Sequence, residues 1–581
     1  MTPVTNARLS IVNGGSRRGR PALTLALAAA LAGIGPVASP RARPAPQGPP
    51  SERPTLVVVV VVDQMRADYV ERYRSQWTGG LARLVAGGAR FSQAAYPYLN
   101  TVTCAGHATI GTGTLPRTHG MILNEWWDRG SGRLVTCTED PDAPLVSYGE
   151  ARRGGESPRR LRVPTFADAM RTQLAPAPRV VTVSLKARAS IMLAGRRGDA
   201  VTWFDGTGWV TATPYATAPV PAVARFVAAN PVAGELGRPW TRLLAPDRYL
   251  FDDQGLGEKP SRGWATTFPH PLADDPAHPD ANAYERWRRS PRSDDYLGRL
   301  AEAAIDDFEL GRGPGTDFLG VSFSALDLAG HWFGPRSHEV QDILAGLDAT
   351  IGRLVDHLDR TVGPGRYVLA LTADHGVAPI PDQIEAAGLS AGRLDGRATA
   401  AAVERALEPW FGGERTVATV RYTEVYFAPG VYARLRAIPE ALAAAVAAVA
   451  AAPGVAHVFT RDTLVDPAAA DSGNPALRAA ALGFDLERSG DILLAPRPYW
   501  LASSDATTHG TANLYDQRVP LVLYGAGIRP GEYLQAATPA DIAPTLAHLT
   551  GVTIPVTDGR VLTEALGGGI PATAPNGTGR R

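Results

Sequence analysis

The sequence predicts an α/β protein with a central, mostly parallel sheet sandwiched by helices. The first observation is Leu56–Val62, a leucine and six valines in a row. A β-branched run without polar alternation is typical of a strand buried on both faces. The second observation is that similar short apolar runs occupy residues 180–183, 318–323, 367–371 and 519–524. The third is that helical patterns at residues 296–310 and 340–358 lie between these runs. Strands that alternate with helices favour parallel pairing through right-handed crossovers.

Composition limits the class of protein. The chain has 581 residues, of which 45% are hydrophobic and 20% charged, values ordinary for a globular enzyme with a large buried core. Lys plus Arg number 58, against 57 Asp plus Glu. This balance gives no reason to expect nucleic acid as a specific partner, or attraction to an anionic membrane.

The N-terminal residues predict export. Three arginines (Arg17, Arg18 and Arg20) precede an apolar run over residues 22–38, which is the pattern of a signal peptide, and we place that peptide at residues 1–39. The run is shorter than the roughly 20 residues that span a bilayer, so we expect no stable membrane insertion after cleavage. Residues 40–54 are rich in Pro and indicate an extended linker. The expected location is periplasmic or secreted.

Residues 55–566 are predicted to form one catalytic domain with two insertions. Residues 200–292 contain several Trp, many Pro and little periodicity, which favours a loop-rich insertion near the site. Residues 383–495 place an Ala-rich helix, residues 438–452, between short strand-like pieces, which favours a small α+β subdomain. Residues 567–581 are rich in Gly, Pro and Thr, so we expect a flexible tail.

The chain has two cysteines, Cys104 and Cys137. An oxidising compartment would allow a disulfide between them. Two buried thiols are the alternative, and the sequence leaves both open.

Chemically active side chains follow the predicted strands. In strand order they are Asp63; Lys186 and Arg188; Asp327 and His331; and Asp374 and His375. In open parallel sheets, ligands gather outside the carboxyl ends of the strands. Four segments distant in sequence are therefore expected to bring acidic, imidazole and cationic groups to one edge of the sheet.

Several of these residues are types that bind zinc, which takes His nitrogen and carboxylate oxygen. Asp327 and His331 lie four residues apart, which places both on one face of a helical turn. Asp374 and His375 form a tighter pair. Two further residues could complete two clusters: Asp63 and His509. One such residue alone is more often a helix cap or an ordinary polar group, but the set together indicates metal binding. His and carboxylate ligands also suit iron and manganese.

The candidate nucleophile is Thr103, in the stretch 101–109, where a loop with small residues enters a helix. A helix N-terminus offers free N–H groups and a partial positive charge to a phosphoryl oxygen. A hydroxyl needs a metal or a base to activate it. Thr101 is the alternative, with a simple capping role. We interpret His107 and His119 as structural.

Taken together, these motifs resemble the alkaline phosphatase superfamily, in particular the bacterial PafA-like alkaline phosphatases with a threonine nucleophile, which are related to type I phosphodiesterases and nucleotide pyrophosphatases. The resemblance extends over residues 57–550, nearly the whole mature chain. It is carried by residues 61–69, 101–109, 118–124, 184–188, 327–331, 374–376 and 508–510.

The resemblance implies an alkaline phosphatase-like fold and hydrolysis of small-molecule phosphate monoesters through a covalent phospho-threonine on Thr103. It implies two zinc ions, one held by Asp327, His331 and His509, the other by Asp63, Asp374 and His375 beside Thr103. It also implies that Asn124, Lys186 and Arg188 contact the phosphoryl oxygens. The oligomeric state stays open, with a monomer as the working expectation.

Three other functions compete with this one. A phosphodiesterase or nucleotide pyrophosphatase of the same superfamily would have similar zinc ligands. A sulfatase is disfavoured, because Cys104 is followed by residues 105–108, Ala-Gly-His-Ala, without the Pro and Arg that its modified nucleophile needs. A catalytically silent phosphate- or metal-binding protein is disfavoured by the presence of both a nucleophile and six ligands.

Overall fold

A computed structural model describes residues 53–567 of the chain. The predicted signal peptide, residues 1–39, lies outside the described residues. So do all but the last two residues of the predicted linker and residues 568–581 of the predicted tail.

The strands are β1 (Leu56–Val62), β2 (Ala89–Ala94), β3 (Glu125–Asp128), β4 (Arg133–Thr136), β5 (Glu139–Ser147), β6 (Gly155–Glu156), β7 (Val180–Ser184), β8 (Ala200–Asp205), β9 (Gly208–Ala212), β10 (Asp317–Phe323), β11 (Tyr367–Thr372), β12 (Gly392–Arg393), β13 (Val417–Arg421), β14 (Glu424–Phe427), β15 (Val455–Thr460), β16 (Ile492–Pro496), β17 (Trp500–Leu501), β18 (Leu521–Gly525) and β19 (Gly531–Ala537).

The α-helices are α1 (Asp68–Tyr73), α2 (Gly80–Gly87), α3 (Thr103–Thr112), α4 (Pro116–His119), α5 (Phe166–Gln173), α6 (Ala187–Ala194), α7 (Pro221–Ala229), α8 (Ala281–Arg288), α9 (Pro291–Asp307), α10 (Ala325–Phe333), α11 (His338–Thr361), α12 (Pro381–Ala386), α13 (Gly396–Phe411), α14 (Val431–Ala437), α15 (Pro439–Ala450), α16 (Arg461–Leu464), α17 (Pro467–Ala470), α18 (Pro475–Gly483), α19 (Leu514–Gln517) and α20 (Ile542–Thr550).

The central sheet has the strand order β19-β2-β18-β11-β1-β10-β7-β8-β9-β5-β6. Its five middle strands, β11 to β8, are parallel, and β1 lies among them with Val60 opposite Val321 on one side and Leu371 on the other. Every residue of β1 is buried. Helix α6 contacts β7, β8 and β10, and α9 contacts β7 and β10. The predicted α/β fold, with a mostly parallel central sheet between helices, is confirmed.

The structure differs from the simplest form of that prediction in two parts of the sheet. The apolar run at residues 519–524 forms β18, which pairs with β11 in the antiparallel direction. Residues 200–212, for which the sequence predicts a loop-rich insertion, form β8 and β9 and extend the main sheet. An apolar run shows that a strand is buried but does not show its direction, and the local sequence does not distinguish Trp in a strand from Trp in a loop.

Within residues 383–495, for which the sequence predicts a small α+β subdomain, a second sheet forms. Its strands have the order β13-β14-β16-β15 and pair in the antiparallel direction. The last residue of β16, Pro496, lies one position beyond the predicted range. Helices α13 and α15 pack on each other and share an apolar core with this sheet, formed by residues such as Val403, Leu407 and Val425. The exact domain boundaries stay predictions.

Among residues 53–567, no helix combines the length and the apolar character needed to cross a membrane.

Helix α3 lies against the segment that follows β11. A Cβ atom added at Gly106 of α3 would come within 2.2 Å of the carbonyl oxygen of Asp374 and 2.7 Å of the Asp374 Cβ. Such an approach is possible only for glycine. The small residues at the start of this helix therefore allow the backbone of α3 to approach the end of a central strand.

Replacing Gly106 by Ala is expected to lower the free energy of unfolding by about 1–3 kcal/mol, because the new methyl group overpacks against backbone that has no free space. This cost exceeds the roughly 1 kcal/mol that Ala gains over Gly in helix propensity. Urea denaturation measures the change. Gly130→Ala is the control, because its Cβ would meet no atom closer than 3.7 Å. A Gly106→Ala variant as stable as this control would contradict the close approach.

Candidate active site

The carboxyl ends of three neighbouring strands, together with one loop, bring the predicted metal ligands together. Asp63 directly follows β1, and the pair at 374–375 follows β11 after one residue. Helix α10 starts two residues after β10 and carries Asp327 and His331. His509 arrives from a separate loop that precedes α19. This arrangement agrees with the expectation that segments distant in sequence meet at one edge of the sheet.

One group of possible metal ligands consists of Asp327, His331 and His509, whose ligand atoms lie within 4.8 Å of one another. Asp327 Oδ1 is 3.2 Å from His331 Nε2 and 3.5 Å from His509 Nε2. This is the same set that the sequence assigns to one zinc.

A second group consists of Asp63, Asp327 and His375, again within 4.8 Å. His375 Nε2 is 3.5 Å from Asp63 Oδ1 and 3.3 Å from Asp374 Oδ2. The sequence assigns Asp63, Asp374 and His375 to the second zinc. In the structure Asp374 lies beside His375, and Asp327 belongs to both groups.

All three imidazoles are oriented by backbone carbonyl groups. His331 Nδ1 lies 3.0 Å from the carbonyl oxygen of Thr507. His375 Nδ1 lies 2.9 Å from that of Gly376, and His509 Nδ1 lies 2.9 Å from that of Thr101. A carbonyl oxygen only accepts, so Nδ1 carries the proton and Nε2 of the neutral ring presents a lone pair. Fixing the tautomer through the other ring nitrogen is the usual arrangement of a metal-binding histidine.

The surroundings affect the imidazole pKa values differently. Burial lowers the pKa of His375, and burial together with the charges of the neighbouring imidazoles lowers that of His509 well below its ordinary value. Burial also favours neutral His331, but the charge and hydrogen bond of Asp327, together with the Thr507 carbonyl group and the charge of Asp505, outweigh burial and raise the pKa of this imidazole. At neutral pH His375 and His509 are therefore neutral and able to act as ligands.

The carboxylates are buried and incompletely paired. Burial, with the charges of Asp327 and Asp374, raises the pKa of Asp63 well above its ordinary value. Burial also opposes ionisation of Asp327, but the Lys186 ammonium and His331 hold the pKa of Asp327 well below its usual range. Asp63 Oδ1 and Asp374 Oδ2 are buried without a hydrogen-bond partner in the described part of the chain.

The lone pairs of His375 and His509 therefore face the carboxylate oxygens of Asp374 and Asp327, acceptor against acceptor, at 3.3 and 3.5 Å. A cation between them removes the repulsion, and His nitrogen with carboxylate oxygen is the donor set of zinc and of several other divalent metals. The two overlapping groups thus fit metal ions.

Lys186 lies deeper than a substrate contact alone requires. Its side chain is only 4% exposed, and Nζ donates to Asp63 Oδ2 at 2.6 Å and also to Asp327 Oδ2. The ammonium group thus compensates part of the negative charge shared by the two groups. The predicted contact of Lys186 with phosphoryl oxygens stays a prediction.

Thr103 is the first residue of α3, and its hydroxyl lies 3.4 Å from His375 Nε2. Asn124 Oδ1 accepts a hydrogen bond from the backbone N–H of Cys104 at 2.8 Å, which holds this amide at the start of the same helix. Arg188 is the second residue of α6. A cavity of about 1270 Å³ is lined by all three, together with the Asp327, His331 and His509 group.

Three other residues considered together with Thr103 make hydrogen bonds or close contacts within the protein. Thr101 Oγ1 donates to the carbonyl oxygen of Thr511 and does not cap α3. His107 Nδ1 lies 2.9 Å from the carbonyl oxygen of Thr103 and 3.3 Å from Asp374 Oδ2. His119 Nδ1 accepts the backbone N–H of residue 121 at 3.0 Å.

Gln64 was missed by sequence reasoning. Its backbone N–H donates to Asp374 Oδ1 at 3.1 Å, and its side-chain amide donates to Asp327 Oδ1 at 2.7 Å. Its φ of 69° is left-handed, which is uncommon for a residue with a side chain. Gln64 therefore links both ligand groups. The only sequence signal for this role is its position directly after Asp63.

Cys104 and Cys137 form a disulfide. Of the two possibilities that the sequence leaves open, a disulfide or two buried thiols, the structure contains the disulfide. The bond joins the second residue of α3 to the segment after β4, and the backbone N–H of Cys137 donates to the carbonyl oxygen of Asn124. The disulfide thus links the segment that carries Thr103 to the segment that is hydrogen-bonded to Asn124.

Comparisons with known proteins identify the family of the chain. The family described as type I phosphodiesterase / nucleotide pyrophosphatase matches residues 57–518. A Myroides odoratus protein named calcium-transporting ATPase is 33% identical over 518 residues, 87% of this chain and 93% of that protein. Alkaline phosphatase PafA of Elizabethkingia meningoseptica is 32% identical over 534 residues, 89% of this chain and 95% of that protein. A crystal structure of wild-type PafA matches with a TM-score of 0.82 at 32% identity, covering 89% of this chain and 99% of that chain.

The chain therefore belongs to the type I phosphodiesterase / nucleotide pyrophosphatase family. Its relatives include several alkaline phosphatases at about 30% identity. The predicted membership of the alkaline phosphatase superfamily is therefore confirmed. The prediction that the protein is an enzyme, a phosphoric monoester hydrolase, is confirmed as well.

Replacing His331 or His509 by Ala is expected to lower the zinc content of the purified protein, because each variant loses one of three converging ligands. It is also expected to reduce the rise in melting temperature when zinc is added to chelator-treated protein, since a ligand that binds only the folded state stabilises it. Metal analysis and thermal unfolding measure both effects. The control is His548→Ala, an exposed histidine. Zinc content equal to that of the control would contradict the assignment.

Proposed function

We propose that this protein is an exported alkaline phosphatase that hydrolyses phosphate monoesters through a covalent phospho-threonine on Thr103, with two zinc ions. The observation that carries the proposal is the position of the Thr103 hydroxyl, at the start of α3 and 3.4 Å from His375 Nε2, beside two overlapping His/carboxylate groups. A hydroxyl next to bound divalent metal is the usual form of an activated alcohol nucleophile.

In this proposal, Asp327, His331 and His509 hold one zinc, and Asp63, Asp374 and His375 hold the other, with Thr103 as a further ligand. When bound, the ions would supply the positive charge that lowers the pKa of the Thr103 hydroxyl and stabilises the departing alkoxide. With Asp63 and Asp327 compensated by the ions, the Lys186 ammonium would be available to the phosphoryl oxygens, which is the contact that the resemblance implies.

Thr103 provides the attacking oxygen. Its Oγ1 forms a bond to phosphorus as the bond from phosphorus to the ester oxygen breaks, and the alcohol leaves with a proton. Water then attacks the same phosphorus, the bond to Thr103 breaks, and inorganic phosphate is released. Two in-line displacements give retention of configuration at phosphorus. The free N–H groups and the partial positive charge at the start of α3 favour the phosphoryl group there.

Asn124 and Arg188 are proposed to bind the non-bridging phosphoryl oxygens. The hydrogen bond from Cys104 N–H to Asn124 Oδ1 leaves the amide NH₂ of Asn124 as a donor for substrate. Arg188 lines the same cavity as Thr103 and adds a permanent positive charge. A monoester carries more negative charge on these oxygens than a diester does, so both residues favour monoesters.

A phosphodiesterase or nucleotide pyrophosphatase is the second candidate, and the family match over residues 57–518 favours it. The alkaline phosphatase is preferred because the cationic side chains Lys186 and Arg188 lie at the site, where the additional charge of a monoester would be neutralised.

The disulfide between Cys104 and Cys137 supports the predicted periplasmic or secreted location, since disulfides persist in oxidising compartments. Small-molecule phosphate esters are the proposed partners, and the cavity of about 1270 Å³ is large enough for varied alcohols.

Replacing Thr103 by Ala is expected to reduce phosphatase activity by about 10³-fold or more, because the covalent route loses its only acceptor. Acid quenching during turnover, followed by peptide mass spectrometry, should find phosphate on Thr103 in the wild type and none in the variant. Thr101→Val is the control, since it removes the neighbouring hydroxyl. Phosphate on Thr101, or full activity of Thr103→Ala, would overturn the assignment.

Replacing Arg188 by Ala is expected to lower kcat/KM for p-nitrophenyl phosphate by about 10- to 100-fold, the usual effect of losing a charge-assisted hydrogen bond. The loss for bis-p-nitrophenyl phosphate should be much smaller. Arg188 is a cleaner test than Lys186, whose removal also leaves two buried carboxylates unpaired. Arg197→Ala, an exposed arginine after the same helix, is the control. Equal losses on both esters would refute the role in monoester selectivity.

A further inference from the structure

The turn between β13 and β14, residues 421–424, extends from the inserted sheet into the active site. On one side it is anchored to Asn100, three residues before the nucleophile. Glu424 is fully buried, and its Oε1 accepts a hydrogen bond from Asn100 Nδ2 at 3.0 Å. Thr423 Oγ1 donates to Asn100 Oδ1 at 2.6 Å. Both polar atoms of the Asn100 side chain are thus used to hold this turn.

On its other side the turn is anchored to the hairpin that follows Asn124. Arg421 forms an ion pair with Glu125, the residue directly after Asn124. The turn is therefore fixed between the segment that carries Thr103 and the segment that carries Asn124.

Tyr422 lies at the centre of this doubly anchored turn. Its φ of 51° is left-handed, a conformation that costs a residue with a side chain roughly 1–2 kcal/mol. Such conformations persist where the surroundings impose them, and they are concentrated at functional sites. The anchors on both sides are what impose it here.

Tyr422 is half-buried and lines the space beside the predicted phosphate contacts. Tyr422 lines the cavity of about 1270 Å³ that also contains Thr103, Asn124 and Arg188. It also lines an adjacent cavity of about 310 Å³, again with Asn124 and Arg188. The Arg421 guanidinium lies over one face of the ring, 4.6 Å from its centroid. Tyr422 is thus a wall shared by two cavities, and its ring is held by cation–π contact.

We propose that Tyr422 binds the leaving group of the substrate and makes the enzyme prefer phosphate monoesters of planar aromatic or heteroaromatic alcohols. The proposal rests on the proposed function. A phosphoryl group bound between Thr103, Asn124 and Arg188 leaves the rest of the ester in the cavity that Tyr422 lines. A flat ring placed there can stack on the tyrosine, which an aliphatic group of equal size does less well.

The test compares benzyl phosphate with cyclohexylmethyl phosphate, two alkyl esters with the same number of carbons, of which only the first has a planar ring. In the wild type, kcat/KM for the benzyl ester should exceed that for the cyclohexylmethyl ester by about 3- to 10-fold, the size expected for one aromatic contact. Tyr422→Asn should lower this ratio to near one, because Asn tolerates left-handed φ but has no ring. Tyr422→Phe keeps the ring and should keep the ratio.

Inhibition by inorganic phosphate should be unchanged in both variants, because phosphate has no leaving group. A ratio near one in the wild type, an unchanged ratio in Tyr422→Asn, or equal losses on both esters would overturn the role of Tyr422 while leaving the proposed phosphatase intact. A wild-type protein that hydrolyses neither ester would overturn the proposed function, and this proposal with it.

Discussion

Buried negative charge at the carboxyl edge of the sheet is the constraint on which the rest of the site depends. Asp63, Asp327 and Asp374 are almost fully buried, and buried carboxylates destabilise a fold unless cations and hydrogen bonds compensate them. Lys186 compensates part of this charge through Asp63 and Asp327. Gln64 donates to two of the three carboxylates. The unpartnered oxygens that remain account for the suitability of the site for metal ions, and hence for its chemistry.

The fold could be predicted where one local pattern has one structural solution. The valine run of β1 has no polar face, so a strand covered on both sides is the only way to bury it. The direction of β18 could not be predicted, because its apolar run is compatible with parallel and antiparallel neighbours alike. The same limit applies to residues 200–212, where the pairing partner, not the local sequence, decides that they join the main sheet.

The candidate site shows a similar division. The rule that ligands gather at the carboxyl ends of parallel strands was sufficient to bring Asp63, Asp327 and His375 together. It could not show that Asp327 belongs to both groups or that Lys186 points at carboxylates, since both depend on side-chain direction in the folded state. The position of Tyr422 was beyond reach for another reason. It depends on two anchors, at Asn100 and Glu125, that lie hundreds of residues away in the sequence.

The disulfide has a consequence for where the enzyme can mature. Cys104 is the neighbour of the proposed nucleophile, and its bond closes a loop of 33 residues that includes Asn124. Closing a loop of this length restricts the unfolded chain by about 3–4 kcal/mol in a simple entropy treatment. Without this bond the restraint is lost, so the disulfide-bonded geometry between Thr103 and Asn124 requires oxidising conditions. The arrangement of these two segments therefore depends on the redox conditions in which the chain folds.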